Sequence, residues 1–177
     1  MPSEPLLGWA IVSIVALQRV AEVVVDRLNT RRLVAAGGVL VRDDGFRAMF
    51  AFHALWFAAL VAERLLLGAR MPSPDVTLAL VGGLVVVECA RAWVLATLGG
   101  RFTIRVVVLP GERPITRGPY RFVRHPNYLV VVAELLLVPL FVGCWRTAIA
   151  GSLLHLPVIR NRVRREDASW ASIGAVA

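Results

Sequence analysis

The chain has 177 residues, is 58% hydrophobic and carries a formal net charge of +8, with a mean hydropathy of +0.69. A soluble domain of this length is about 45–50% apolar, and the excess here is gathered into long runs, which points to lipid as the solvent and away from a water-soluble globule. All 20 basic residues are arginine; they sit between the apolar runs, so they mark the water-facing ends of membrane segments and contacts with anionic lipid, and no nucleic-acid partner is expected.

Taken from the start, residues 1–5 lack the basic region of a signal peptide, so the first apolar run reads as retained. A membrane-crossing helix needs about 20 mostly apolar residues. Residues 6–25, 46–68 and 76–98 meet that length. Residues 128–144 and 145–159 are shorter and nearly contiguous, and read as a helical hairpin that turns near Gly143, with Pro139 able to kink its first arm. The expected fold is an all-α integral membrane protein: one domain, about five transmembrane helices, and a polar pocket at one end. Five spans place the termini on opposite sides. Segments 26–45, 99–127 and 160–177 then share a face and hold four, six and four arginines, whereas the connections on the other face hold only Arg70 and Arg146. The arginine-rich face is the cytoplasmic one by the positive-inside rule. The expected location is a bacterial inner membrane, N-terminus outside and C-terminus cytoplasmic.

Several polar residues interrupt the apolar runs. Arg19 and Glu22 are three apart and share a helix face, which Asp26 continues; Glu88 and Arg91 repeat the spacing. Gln18 neighbours the first pair, and Glu134 lies in the first hairpin arm. A charge at the bilayer centre costs roughly 2.5–3.5 kcal/mol on insertion scales, so such groups face the bundle interior. They either fasten helices together or line a polar cavity, and the spacing alone leaves both readings open. His53 and His155 read as helix-packing groups. Cys89 and Cys144 read as buried thiols. No metal-ligand spacing is present.

The longest polar stretch is RFTIRVVVLPGERPITRGPYRFVRHPNY at 101–128. A connection of this length in a small membrane protein is a candidate functional loop. Thr103 to Leu109 can form a short extended segment, and Pro110-Gly111 and Gly118-Pro119 are turn signals. His125-Pro126-Asn127-Tyr128 opens the fourth span, with Pro126 suited to the first helical turn. Unpaired N–H groups there, beside Arg124 and His125, would seat an anion; a capped helix end flanked by snorkelling arginines is the alternative. After the last span comes RNRVRRED at 160–167, in which Arg162 and Glu166 are four apart on one helix face. No dinucleotide GxGxxG turn, Walker loop, HExxH or GxSxG occurs; a methyltransferase of the soluble α/β kind would need a glycine-rich turn after a strand, and the helical membrane pattern excludes that architecture.

The block GPYRFVRHPNY at 118–128, followed by an apolar hairpin and then RVRRED at 162–167, closely resembles the isoprenylcysteine carboxyl methyltransferase family. The resemblance covers residues 106–170 and implies a membrane-bound, S-adenosylmethionine-dependent O-methyltransferase with a cytosolic cofactor pocket. It implies cofactor contacts at Tyr120, His125, Pro126, Asn127, Tyr128 and Glu166, with Ile115 a further candidate from the same loop. Arg124 joins them by charge complementarity to the cofactor's carboxylate. Arg162 matches the family's arginine near the reacting group and is the expected catalytic and acceptor-binding residue. Two positions depart from the pattern: Val130 stands where the family often has glycine, and the acidic pair is Glu166-Asp167 rather than two glutamates. The stretch LQRVAEVVVDRLNTRRLVAAGGV at 17–39 is similar to a bacterial branch associated with type III polyketide synthases.

The implied acceptor is a lipophilic small molecule or lipidated substrate, either an isoprenylcysteine-type carboxylate or an alkylpyrone or alkylresorcinol hydroxyl. Membrane lipids are the other expected partners, and no obligate protein partner is evident. A carboxylate or acidic enol is already ionised near neutral pH; an ordinary phenol would call for a base, for which Glu22 and Glu134 are the candidates if they face the pocket. Two rival readings share the His-Pro-x-Tyr element: a membrane NADPH-dependent reductase of the sterol type, and a non-catalytic protein of the same fold.

Overall fold

The structure, a computed structural model, describes residues 3–42 and 45–173. Residues 1–2 of the N-terminal tail, 43–44 of the first arginine-rich segment and 174–177 of the last lie outside the described residues. Five helices account for most of the rest: α1 Ser3–Ala35, α2 Phe46–Leu66, α3 Pro74–Leu98, α4 Pro126–Phe141 and α5 Trp145–Ile173. Three stretches, Leu6–Ala35, Phe46–Leu66 and Pro74–Arg101, are long and apolar enough to cross a membrane. Their outer faces present side chains such as Leu17, Val20, Leu55, Leu78 and Val86, all exposed. That is the arrangement expected when the surrounding solvent is hydrocarbon rather than water. The protein is an integral membrane protein built of helices.

Two helices run past the expected spans. α1 continues from residue 25 to Ala35, and α5 runs from Trp145 past residue 159 to Ile173, so that Asp26 stays on the α1 face and Arg162 and Glu166 share one helix, as their spacing predicts. Both extensions are polar on one side and bound to protein on the other, so they stay helical after leaving the apolar zone. A small antiparallel pair joins the same end: β1 Val39–Leu40 against β2 Val107–Val108, with Val39 opposite Val108. The arginine-rich segments therefore meet at one end of the bundle.

The opposite end is closed by α2. Glu63 accepts the backbone N–H groups of Arg146 (3.2 Å) and Thr147 (2.7 Å) and the Thr147 hydroxyl (2.6 Å), capping the start of α5. Its neighbour Arg64 donates to the carbonyls of Val142 (2.7 Å) and Ala69 (2.8 Å). An anion at a helix start and a cation at a helix end both oppose the helix dipole favourably. Between them Gly143 turns with φ 78°, and a Cβ there would stand 1.8 Å from the Arg70 carbonyl oxygen, so only glycine fits.

A group of four charges lies in the interior between α1, α3 and α4. Arg91 donates from Nε to Glu134 Oε1 (2.6 Å), from Nη2 to Glu134 Oε2, and from Nη1 to Glu22 Oε1 (2.8 Å). Arg19 bridges the same two carboxylates, 2.8 Å from Glu22 and 3.1 Å from Glu134. Gln18 donates to Glu88 at 2.9 Å. The i,i+3 spacing of Glu88 and Arg91 thus does not make a pair of them; each reaches another helix. Arg91, Glu134 and Glu22 are all buried, and two cations face two anions. Arg91→Ala is expected to leave two buried carboxylates undercompensated. The expected cost is about 3–5 kcal/mol, read as a lowered thermal unfolding midpoint in detergent.

Candidate functional site

A cavity of about 570 Å³ opens between α1, α2, the 99–127 loop, the start of α4 and α5. Its loop wall is anchored to α1. Asp26, buried on the polar extension of that helix, accepts the backbone N–H groups of Ile104 (2.7 Å) and Arg105 (3.2 Å). One turn on, Asn29 donates to the carbonyl of Phe102 at 2.8 Å. A carboxylate taking two backbone donors holds a loop firmly, because bonds to an ionised acceptor are the stronger kind.

The block at the start of α4 and the acidic pair on α5 meet in the wall of this cavity. Tyr128 donates its hydroxyl to Glu166 Oε2 at 2.8 Å. His125 donates from Nε2 to Asp167 Oδ1 at 3.1 Å, and its Nδ1 lies 3.8 Å from Glu166. Arg124 lies 3.6 Å from Asp167 with its side chain in solvent. Arg162, one turn before Glu166, is buried; its Nε donates to Tyr128 Oη at 3.2 Å and its Nη2 to the carbonyl of Ile104. The guanidinium is thereby pinned between α4 and the loop.

Of the residues singled out from sequence, Ile115, Tyr120, Arg124, His125, Asn127, Tyr128, Arg162 and Glu166 all line the cavity. Asn127 Oδ1 is buried and has no hydrogen-bond partner, which makes it an open acceptor in the wall. Burial, reinforced by the nearby Glu166 charge, holds the Tyr120 phenol above its ordinary range, so it is a neutral donor at physiological pH. Pro126 is not part of the lining; it is buried at the first position of α4. Glu22 and Arg19 reach the lining, but Glu134 does not: it sits behind them in a minor cleft with Arg19, His53 and Trp56. Among the described residues no cluster could hold a metal ion.

Sequence reading missed three features. Asp26 and Asn29 were legible as one face with Glu22, at i+4 and i+7, yet nothing in the sequence says that this face meets a loop some 75 residues away. Asp167 orients His125. His53 and His155 lie on the cavity wall rather than only between helices.

Residues 77–172 match the sequence model of the isoprenylcysteine carboxyl methyltransferase (ICMT) family. A relative in Bacillus subtilis (strain 168), an uncharacterized protein called YpbQ, is 31% identical over 159 residues, which is 90% of this chain and 94% of that one. An uncharacterized protein of Haemophilus influenzae (strain ATCC 51907 / DSM 11121 / KW20 / Rd) is 29% identical over 83 residues, 46% of this chain and 48% of its own length. No solved structure matches.

Replacing Asp26 by Ala removes the acceptor for two loop amides. Hydrogen exchange at Ile104 and Arg105 is expected to quicken by about tenfold to a hundredfold, the worth of bonds to a charged acceptor, with the amides of α3 unchanged.

Proposed function

The chain belongs to the isoprenylcysteine carboxyl methyltransferase family, and from that premise we propose that it is an S-adenosylmethionine-dependent O-methyltransferase acting on a lipophilic acceptor. The observation that carries the reading is the junction between the two sequence blocks. Tyr128 and His125 from one block are hydrogen-bonded to Glu166 and Asp167 from the other, around one cavity large enough for a cofactor and part of an acceptor.

The lining suits the cofactor. Arg124 and His125 would meet its carboxylate. Glu166, whose Oε2 is taken by Tyr128, keeps Oε1 for the ammonium group. Asn127 Oδ1 supplies the acceptor that a cofactor N–H needs, which accounts for a buried oxygen without a partner. Tyr120 and Ile115 complete the wall, and Pro126 holds the backbone of the block in place. When bound, S-adenosylmethionine supplies a sulfonium methyl to an oxygen nucleophile aligned with it. The chain's own work is placement and exclusion of water, and positioning of this kind supplies up to about 7–11 kcal/mol of barrier lowering in favourable cases.

Arg162 would hold the acceptor's anionic oxygen. It is buried and has its orientation set by Tyr128 and Ile104. An isoprenylcysteine-type carboxylate or the acidic enol of an alkylpyrone would arrive ionised and need little help from a base, whereas the phenolic hydroxyl of an alkylresorcinol would call for one. Glu22 lines the cavity but is committed to Arg19 and Arg91, and Glu134 lies behind it in the minor cleft, so neither is placed to take a proton from the acceptor. The acceptor's apolar part would enter between the helices. The arginine-rich end, where the cavity opens, is read as the cytoplasmic side of a bacterial inner membrane, with α4 and α5 inserted as the fourth and fifth spans.

Calorimetric titration of S-adenosylhomocysteine into the detergent-solubilised protein tests this reading. Micromolar binding is expected, weakened at least about tenfold by Glu166→Ala and by His125→Ala. Absence of binding to folded wild-type protein, or binding of NADPH in its place, would overturn it.

A further inference from the structure

The cavity carries a second polar feature that the methyl-transfer reading leaves unused. His155 on α5 is only 1% exposed, and neither of its ring nitrogens has a hydrogen-bond partner. It stacks on Phe52 with ring centroids 4.5 Å apart and meets the edge of His53 at 5.2 Å. His53 places Nδ1 2.8 Å from the Met49 carbonyl. A carbonyl only accepts, so Nδ1 carries the proton and Nε2 keeps its lone pair. Both histidines line the same cavity as Arg162. His155 lies seven residues before Arg162 on one continuous helix, about two turns deeper into the apolar zone.

Buried polar groups without partners are uncommon and call for an explanation. A purely hydrocarbon tail seated here would leave them unmet. A carboxylate would bring a net charge against the Phe52 ring stacked on His155. A neutral hydroxyl matches what is offered: the N–H of His155 to accept from, and a lone pair on either imidazole to donate to. We propose that His53 and His155 form an acceptor-recognition subsite, which takes a hydroxyl of the acceptor other than the oxygen held at Arg162. This rests on the methyltransferase reading and narrows its substrate to a lipophile with at least two oxygen functions. The two histidines are positioning residues: they set the depth and rotation of the acceptor and do not touch the transferred methyl.

The test compares two probes of equal chain length, a pentadecyl-resorcinol with two hydroxyls and a pentadecyl-phenol with one. Dissociation constants for both are measured in detergent alongside that of S-adenosylhomocysteine. Wild-type protein is expected to prefer the diol by about tenfold or more. In His155→Phe, which keeps the aromatic volume, the preference is expected to fall below about twofold with S-adenosylhomocysteine affinity unchanged. His155→Gln, which restores a donor and an acceptor, should recover part of it. Equal binding of the two probes by wild-type protein that binds S-adenosylhomocysteine would overturn the subsite alone, whether or not the variants fold. Wild-type protein that binds no S-adenosylhomocysteine would overturn the methyltransferase reading and the subsite with it.

Discussion

Arg91 reaches two carboxylates from different helices at once, and the rest of the molecule is arranged by that contact. Helices surrounded by lipid gain little from hydrophobic association, because the alternative solvent is equally apolar. Directional polar contacts therefore carry much of the information about which face turns inward. With Glu22 held by Arg91 and Arg19, the rotation of α1 about its own axis is fixed. Asp26 and Asn29, one and two turns further along, are then aimed at the 99–127 loop. An interaction within the membrane zone thus decides where a loop outside it is fastened.

The functional end is assembled from segments that are distant in sequence because α4 and α5 fold back on each other. Glu63 and Arg64 lock the return by satisfying the start of α5 and the end of α4. At the far end of the same hairpin, Tyr128 and His125 find Glu166 and Asp167. The two ends of the hairpin use charge differently. At the turn, Glu63 and Arg64 meet backbone groups that helix ends leave without partners; at the cavity, the side chains pair with one another and the start of α4 has no side-chain cap.

Much of this was legible in the residues. The apolar runs predict helices, and the HPNY and RED elements predict a polar site, the first because it sets polar groups at a helix start and the second because it sets Arg162 and Glu166 on one helix face. Other features were hidden for physical reasons. Asp26 continues the Arg19–Glu22 face in the sequence, but its partners are backbone amides of a loop far along the chain, and backbone groups carry no signature in the residue pattern. The length of α5 was masked by its change of solvent: hydropathy falls after residue 159 while the backbone stays helical. Glu88 and Arg91 carry the spacing of an intrahelical pair, and only the placement of α1 and α4 shows that stronger partners lie elsewhere. His155 has no sequence neighbour that could announce a cavity, since its companions Phe52 and His53 come from another helix.

The unbroken course of α5 makes that helix a ruler. His155, Arg162 and Glu166 stand on that one helix, which stays helical through its interior Pro157, and the span from the first to the last is eleven residues, roughly 16 Å at the rise of an α-helix. Loops can stretch; a helix packed on its neighbours does not. Bilayer depth at one end and aqueous chemistry at the other are therefore set against a fixed scale. Under the proposed function, an acceptor would be gauged along that scale by how far its polar groups stand from one another.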